Sequence, residues 1–478
     1  MGPSAPSKEM IDNRRGENGR CVAPPGNPTP VGPAVSSRGT TALPDAQVQR
    51  RVIVVLAAAQ AFSGFGVATA AAVSPVAAAT MSGSTVIGGA AATAMVLGAA
   101  ASSLLIARIA GWAGRRPALT LGYLLGGVGA VGAALGSALG SWPLMLAALL
   151  PFGAGSAAGL AARFAATDLA PAGRKARALG VVMWATTVGA VAGPALAGPV
   201  AHAAHAARWG AASGPLVLSA VAFGLAAVVV GTWLRPDPLL LARTKVTESG
   251  GRATAAPTVS RRALWASPRA RLGVSGIGLA QLVMVGLMSM APVHMTHVGS
   301  SLTVVGLVIS VHMAGMFALA PVFGWLADRV GSVRVLAIGL LLLVVGSSVA
   351  AVADGHQASL LAVAMSALGL GWSAALVAGS SLVIEAVALA QRTAVQGWVD
   401  VAMSLSGAAG GIVAGLALTR TSYGVLAGAA AVLVLPLLAA VFVPAAGISR
   451  NGTDMVGKIR LSDSPTVGVS EGRRRRDH

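Results

Sequence analysis

The residues of this sequence with the most evident chemistry are two ionisable side chains inside long apolar stretches. Asp400 lies in QGWVDVAMSLSG and His312 lies in VISVHMAGM. Because burial disfavours the charged form of either group, both could take up and release a proton. We therefore treat Asp400 and His312 as candidate proton-coupling groups. The alternatives are a structural ion pair of Asp400 with Arg392 or Arg163, and a plain helix contact for His312.

Composition indicates the solvent in which these groups lie. The chain has 478 residues, of which 55% are hydrophobic and 10% are charged, whereas soluble domains carry about 25% charged residues. Such a chain cannot cover a globular surface with polar groups, so we expect most of it to lie in a lipid bilayer. Cys21 is the single cysteine, and the seven histidines show no metal-ligand spacing. We therefore expect no disulfide framework, metal or cofactor, and the absence of a phosphate-binding loop or nucleophile elbow argues against an enzyme.

Apolar runs of about 20 residues match the thickness of a bilayer core, and the sequence contains twelve of them. They predict an all-α membrane protein with twelve transmembrane helices. The predicted spans are 52–75, 85–107, 118–138, 143–165, 178–200, 214–234, 271–293, 301–323, 332–353, 358–384, 395–418 and 423–443.

The basic residues predict how these spans are oriented. Arginine and lysine accumulate in the connections that follow every second span, whereas Arg208 and Arg420 alone fall in the opposite connections. Cytoplasmic loops carry such an excess, so we expect a multi-pass protein of the inner or plasma membrane with both termini in the cytoplasm. Orientation also accounts for the net charge of +19, and no nucleic-acid partner is needed.

An internal repeat divides the spans six and six. When one half is aligned with the other at an offset of 217 residues, Asp168 falls on Glu385 and Gly114 falls on Gly331. Matching acids are rare in this chain, so we infer a six-helix unit duplicated in parallel, which is typical of transporters with alternating access. The expected organisation is a disordered arm at 1–50, a bundle at 51–234, a cytoplasmic linker at 235–270, a second bundle at 271–443 and a disordered basic tail at 444–478.

The segment GWLADRVGSVRVL, at 324–336, connects spans 8 and 9. It resembles the cytoplasmic loop motif G-x-x-x-D-R-x-G-R-[RK] of the major facilitator superfamily. The positions in register are Gly324, Asp328, Arg329 and Gly331. The resemblance implies two six-helix bundles related by pseudo-twofold symmetry, and a conformational latch at this loop. In that latch Asp328 faces the positive N-terminal end of span 5, while Arg329 and Arg334 pair with Glu385.

The corresponding segment of the first half, ARIAGWAGRRPAL at 107–119, departs from the motif. Aligning its G-R-R places Gly111 where the family has its aspartate. The acid is therefore missing, and Asp168 can pair instead with Arg115, Arg116 or Arg177. We expect a lopsided latch, carried mainly by the second half. Its first-half members are Gly114, Arg115, Arg116 and Asp168.

Span 5 contains GVVMWATTVGAVAGPALAG. It resembles the family's antiporter signature, G-x8-G-x3-G-P-x2-G-G, except that Ala197 replaces one glycine. The matching positions are Gly180, Gly189, Gly193, Pro194 and Gly198. Small residues at helical spacing allow close helix packing, and the resemblance implies export by proton exchange. A generic packing face is the alternative.

A substrate cavity is expected between the two halves. Its candidate lining residues are Gln60, Phe62, Gln281, Met284, Met288, Met313 and Met316. Methionine adapts to irregular apolar ligands, which favours a hydrophobic compound, although plain packing is the alternative. The arginine that the family has in the middle of span 4 is missing. Arg163, about three turns further on, is expected to snorkel or to pair with Asp168.

These observations predict a secondary transporter that resembles the bacterial twelve-helix drug:proton antiporters. We expect it to export a small, hydrophobic or drug-like compound, with the proton gradient as its energy source and without a cofactor. The expected partners are the substrate and membrane lipid, and we expect the protein to work as a monomer. An importer or facilitator of a small metabolite, and a non-transporting membrane sensor, are the alternatives.

Overall fold

The computed structural model describes residues 45–210, 212–248, 267–353 and 357–442. All regular elements in these ranges are helical, and twelve helices there are long and apolar enough to cross a membrane. The prediction of an all-α membrane fold is confirmed. The predictions made for most of the N-terminal arm, for part of the linker and for the C-terminal tail lie outside the described residues.

Six long helices form the first half, and a short helix follows them. They are α1 (Asp45–Ser82), α2 (Thr85–Ala113), α3 (Arg115–Ala138), α4 (Trp142–Ala165), α5 (Lys175–Ala206), α6 (Ser213–Trp233) and α7 (Pro238–Glu248). The helices of the second half are α8 (Pro268–His297), α9 (Leu302–Phe317), α10 (Ala320–Val330), α11 (Ser332–Val352), α12 (Ala358–Ala386), α13 (Arg392–Leu418) and α14 (Tyr423–Phe442).

The first helix begins earlier than the sequence predicts. Residues 45–50, expected to belong to the disordered arm, form its first turns. Val48 is 8% exposed, and Gln49 Nε2 donates to Ala166 O at 2.8 Å. The segment is polar in sequence, but the burial of Val48 and the hydrogen bond from Gln49 to the end of α4 stabilise it as helix.

The eighth span is built from two helices instead of one. Helix α9 ends at Phe317, and α10 begins shortly afterwards with Pro321 in its first turn. Proline lacks an N–H and its ring clashes with the carbonyl four residues earlier, so it interrupts one helix and suits the start of the next.

Each half has its own apolar core, and the two cores meet at one end of the molecule. We call this the loop end, because the α2–α3 and α10–α11 turns lie there. Ala176, Leu179 and Met183, from the first turns of α5, pack into the core of the second half. The halves are therefore in contact at the loop end.

The contacts between the halves are pseudo-symmetric. A Cβ added to Gly180 of α5 would lie 2.3 Å from Ala320 O of α10. One added to Gly397 of α13 would lie 3.3 Å from Ser103 O of α2. Gly397 lies 217 residues after Gly180, and Ala320 lies 217 residues after Ser103, so the repeat offset relates the two contacts. Glycine allows close approach of the backbones in both places.

Candidate functional site

A buried ion pair joins the two halves near the loop end. Arg163, in the last turn of α4, donates through Nη2 to Asp400 Oδ1 of α13 at 2.7 Å. The two side chains are 2% and 1% exposed. Asp400 lies about two turns inside α13, so the pair is deeper in the membrane than the turns themselves. Asp400 thus pairs with Arg163 and not with Arg392, and Arg163 neither snorkels to the membrane surface nor pairs with Asp168.

The surroundings of this pair leave part of it unsatisfied. Arg163 Nη1 lies 3.9 Å from Met403 Sδ, and the guanidinium lies 5.0 Å from the Phe164 ring centroid. Among the described residues, Arg163 Nε and Asp400 Oδ2 have no hydrogen-bond partner. A carboxylate oxygen without a donor is a place where a proton can be added.

A second buried cluster lies closer to the turns. Arg115, at the start of α3, holds Asp168 with two bonds, from Nε to Oδ2 at 2.7 Å and from Nη2 to Oδ1 at 3.3 Å. Its Nη1 donates to Gln396 Oε1 of α13. The pairing of Asp168 with Arg115 is one that the sequence predicts. Gln396 therefore extends the cluster across to the second half.

Sequence reasoning missed Gln396. A neutral amide in an apolar span is less conspicuous than a charged side chain. Its partner, Arg115, is on the other half of the chain. The available signal was position: Gln396 precedes Asp400 by four residues, so both project from the same face of α13. Both of them, 2% and 1% exposed, are turned towards arginines of the first half.

The latch contact implied for Asp328 is present. Its two carboxylate oxygens accept hydrogen bonds from the backbone N–H groups of Ala176, at 3.1 Å, and Arg177, at 2.9 Å. These are N–H groups of the first turn of α5, which lack partners inside the helix and carry its positive end. A Cβ on Gly324 would lie 2.4 Å from Ala176 O, so glycine is needed here for close approach.

The remaining latch residues are arranged differently from the expectation. Glu385 accepts hydrogen bonds from Ser332 Oγ at 3.1 Å and Ser381 Oγ at 2.8 Å, and not from arginine. Arg329 lies over the Trp325 ring at 5.1 Å, and Arg334 donates to Val330 O at 2.9 Å. Both arginines are exposed, where a local partner competes well with a distant carboxylate.

The first-half turn matches the degraded alignment. A Cβ on Gly111 would lie 3.4 Å from Thr393 Oγ1, in the first turn of α13, which mirrors the place of Asp328 beside α5. Gly114, in the turn itself, has a φ of +96°, a left-handed conformation that favours glycine. Arg116 donates through Nε to Gly231 O at 2.8 Å.

His312 lies entirely within the second half. Its Nδ1 is 2.7 Å from Met365 O, so α9 and α12 are joined by this bond. A ring nitrogen that bonds a carbonyl must carry the hydrogen. The other ring nitrogen, Nε2, has no partner among the described residues. The side chain is 0% exposed, and this geometry favours the helix-contact alternative.

The candidate cavity residues do not form one surface. Met284 and Met316 are buried in the second core, and Met288 and Met313 pack against it. Phe62 lines an apolar groove of about 240 Å³ between helices of the first half. The expectation that these side chains line a space between the halves is therefore not met for Phe62, Met284 and Met316 in this conformation.

Two of the candidate residues make polar contacts. Gln60 Nε2 donates to Thr186 Oγ1 at 2.9 Å, which joins α1 to α5. Gln281 Oε1 accepts from Trp372 Nε1 at 2.6 Å, which joins α8 to α12. The Trp372 ring meets Phe317 edge to face, with centroids 5.7 Å apart. Trp372 and Phe317 are aromatic residues that sequence reasoning did not select.

The glycines of the span 5 signature have distinct neighbours. A Cβ on Gly189 would lie 2.2 Å from Ala61 O, and one on Gly193 would lie 2.8 Å from Phe65 O of α1. Gly180 contacts the second half, as described above, whereas a Cβ on Gly198 would have no neighbour within 4 Å. Proline at position 194 lies inside the helix. Gly189 and Gly193 of the motif therefore form a tight α1–α5 contact within the first bundle.

Two six-helix bundles in contact at one end, with buried charges across the contact, define a two-bundle membrane transporter. Comparison with known families agrees: residues 56–296 and 273–465 match the model of the Major Facilitator Superfamily. The chain belongs to this superfamily. It is therefore a multi-pass membrane protein and a secondary transporter of small molecules.

Individual relatives cover most of the chain. It is 37% identical over 399 residues to the uncharacterized MFS-type transporter YdeG of Bacillus subtilis (strain 168), spanning 81% of this chain and 91% of YdeG. It is 28% identical over 402 residues to the riboflavin transporter RfnT of Brucella anthropi, spanning 84% and 96%. The structure of the proton:xylose symporter XylE superposes with a TM-score of 0.67 at 15% identity, covering 83% of this chain and 95% of XylE, which shows the shared fold.

Proposed function

We propose that this transporter exports a small apolar compound in exchange for protons, and that the Arg163–Asp400 pair couples the proton to the conformational change. The observation that carries the proposal is the pair itself: two buried, opposite charges on different halves, 2.7 Å apart. We assign the loop end to the cytoplasm from the distribution of basic residues. The structure then corresponds to the conformation that is closed to the cytoplasm.

The physical reason lies in what happens to the pair when the halves separate. Opening the loop end moves α13 away from α4, so the carboxylate of Asp400 and the guanidinium of Arg163 are no longer in contact. In the open conformation water reaches both groups, whereas a closed conformation with Asp400 protonated leaves Arg163 buried without its counter-charge, which costs about 3–5 kcal/mol. A proton on Asp400 removes its negative charge and with it the attraction that holds the halves together. Protonation of Asp400 therefore favours opening, and loss of the proton favours closing.

This order fits exchange. In the conformation closed to the cytoplasm, a proton from outside reaches Asp400, releases Arg163 and opens the cytoplasmic side. The proton then leaves into the cytoplasm, the substrate binds, and the pair re-forms as the transporter closes around its cargo. The span 5 signature and its α1–α5 contact support exchange over symport. The fold alone does not decide, because XylE is named a proton:xylose symporter.

The choice of an apolar substrate rests on two methionines of the second half that are only partly buried, Met288 and Met313, because methionine adapts to irregular apolar ligands. Import of a metabolite is the second candidate. The similarity to the riboflavin transporter RfnT supports a planar aromatic metabolite as the substrate, since riboflavin is such a compound.

The test is transport by the purified protein in liposomes with an imposed pH gradient. The panel contains riboflavin, several apolar aromatic compounds and xylose as a polar control. Export by exchange predicts that substrate accumulates on the side from which protons leave. Accumulation of substrate on the side to which protons flow would instead show symport. A transport rate that does not depend on the pH gradient would refute proton coupling.

A further inference from the structure

A cavity of about 780 Å³ lies at the loop end of the first half, between α3, α6 and α7. This volume is within the usual range of small-molecule sites, about 300–1,000 Å³. One wall is apolar and includes Leu121 and Leu124 of α3, which are 37% and 50% exposed. These side chains belong to a helix that crosses the membrane, so the apolar wall continues along the lipid-facing side of α3.

The lining also includes two arginines, Arg116 at the start of α3 and Arg235 just after α6. Arg116 uses its Nε for Gly231 O. Within the ranges that the structure describes, its terminal nitrogens and the guanidinium of Arg235 bond no other group. Two cations with free donors therefore stand at the membrane edge of an apolar cavity.

The acid of this cavity does not neutralise them. Asp237 accepts hydrogen bonds from three backbone N–H groups, those of Arg116 at 2.7 Å, Leu239 at 3.0 Å and Leu240 at 3.2 Å. These groups belong to the first turns of α3 and α7, whose positive ends compensate a carboxylate. The negative charge of Asp237 is thus engaged by the backbone, and the guanidinium groups are left for another anion.

We propose that this cavity binds an anionic glycerophospholipid, with its phosphate on Arg116 and Arg235 and an acyl chain along Leu121 and Leu124. Guanidinium groups bind phosphate oxygens through paired N–H donors, and the apolar wall accounts for a tail. Basic pockets between membrane helices on the cytoplasmic side are suited to such headgroups. A zwitterionic lipid would bring its own cation towards the two arginines, so the site selects a headgroup of net negative charge.

The experiment measures lipid bound to the purified full-length protein by native mass spectrometry, during titration with phosphatidylglycerol or phosphatidylcholine. We expect phosphatidylglycerol to be retained preferentially. Each basic group near a membrane surface contributes about 1 kcal/mol, so Arg116→Gln or Arg235→Gln should weaken binding about 5-fold, and the double variant about 30-fold. Arg235→Gln breaks no bond among the described residues, which guards against a folding defect.

The matched control is Arg271→Gln, an exposed arginine at the start of α8. An equal loss of binding in this control would show general attraction between basic residues and lipid, and would overturn the site. Inorganic phosphate or glycerol phosphate that displaces the lipid at similar concentrations would show a free-anion site without a tail. Unchanged selectivity in the double variant would also refute the proposal.

Discussion

Replacing Asp400 by asparagine should open the loop end. The asparagine would keep the size of the side chain but carry no charge, as does a permanently protonated aspartic acid. Arg163 would then remain buried at 2% exposure without a counter-charge when the halves close. In the open conformation the guanidinium faces water and loses little. The substitution therefore destabilises the closed conformation selectively.

The magnitude follows from the burial of the pair. Removing one partner of a buried ion pair costs about 3–5 kcal/mol, which changes the closed-to-open ratio between roughly 100-fold and roughly 4,000-fold. Removing both partners has another outcome, because replacing a buried pair by apolar side chains of similar volume is often neutral or stabilising. The variant Arg163→Met with Asp400→Leu should close again, yet it should fail to drive transport with a pH gradient.

The assay is the distance between spin labels at two exposed loop-end positions on different halves, Arg108→Cys and Ala388→Cys. The single native cysteine, Cys21, is replaced by serine in all samples. We expect Asp400→Asn to lengthen the distance and Glu248→Gln, an exposed acid of α7, to leave it unchanged. A wild-type distance distribution in Asp400→Asn, together with wild-type uphill transport, would refute the reasoning.

Three further substitutions test the neighbouring contacts. Asp328→Asn removes the charge that accepts hydrogen bonds from the first turn of α5. Because hydrogen bonds to charged groups contribute about 1.5–3 kcal/mol, transport should fall. Equilibrium substrate affinity, measured by binding, should change little. Gly193→Leu adds a side chain whose Cβ alone would lie 2.8 Å from Phe65 O. Overpacking of about 1–3 kcal/mol should abolish export or produce a proton leak in liposomes. Gln396→Leu leaves a buried donor of Arg115 without its acceptor, at about 1–3 kcal/mol. The spin-label distance should therefore shift towards the open conformation, whereas in Gln396→Glu it should shift towards the closed one.

The helical fold could be predicted from the sequence because the bilayer limits it to apolar helices of fixed length. The sequence also predicted two six-helix units, because Asp168 falls on Glu385 at the repeat offset. The departures from the predicted spans have causes that hydropathy does not report. Val48 and Gln49 extend α1 through contacts with a distant helix, and Pro321 divides the eighth span between two helices.

The site was predictable where a motif prescribes the partner. Asp328 binds the start of α5 as the loop motif implies, and Asp168 binds one of the arginines named for it. The Arg163–Asp400 pair was left as one of several alternatives, because the two residues are on different halves of the chain and neither's local sequence identifies the other. The partners of Glu385 were mispredicted because long exposed arginines have many local acceptors, and charge counting cannot rank them.

The two halves meet at the loop end through two pseudo-symmetric interfaces whose chemistry differs. On one side, a carboxylate on α10 caps α5, and backbone N–H groups hold its charge in place. On the other side Gly111 stands in that position, and α13 instead presents Gln396 and Asp400 to buried arginines. The first-half motif thus lacks its acid, and the contacts on that side include the negative charge of Asp400, which protonation would remove. In the proposed exchange mechanism, protonation of Asp400 would weaken the second interface, whereas the contact of Asp328 with backbone N–H groups must break as the halves separate.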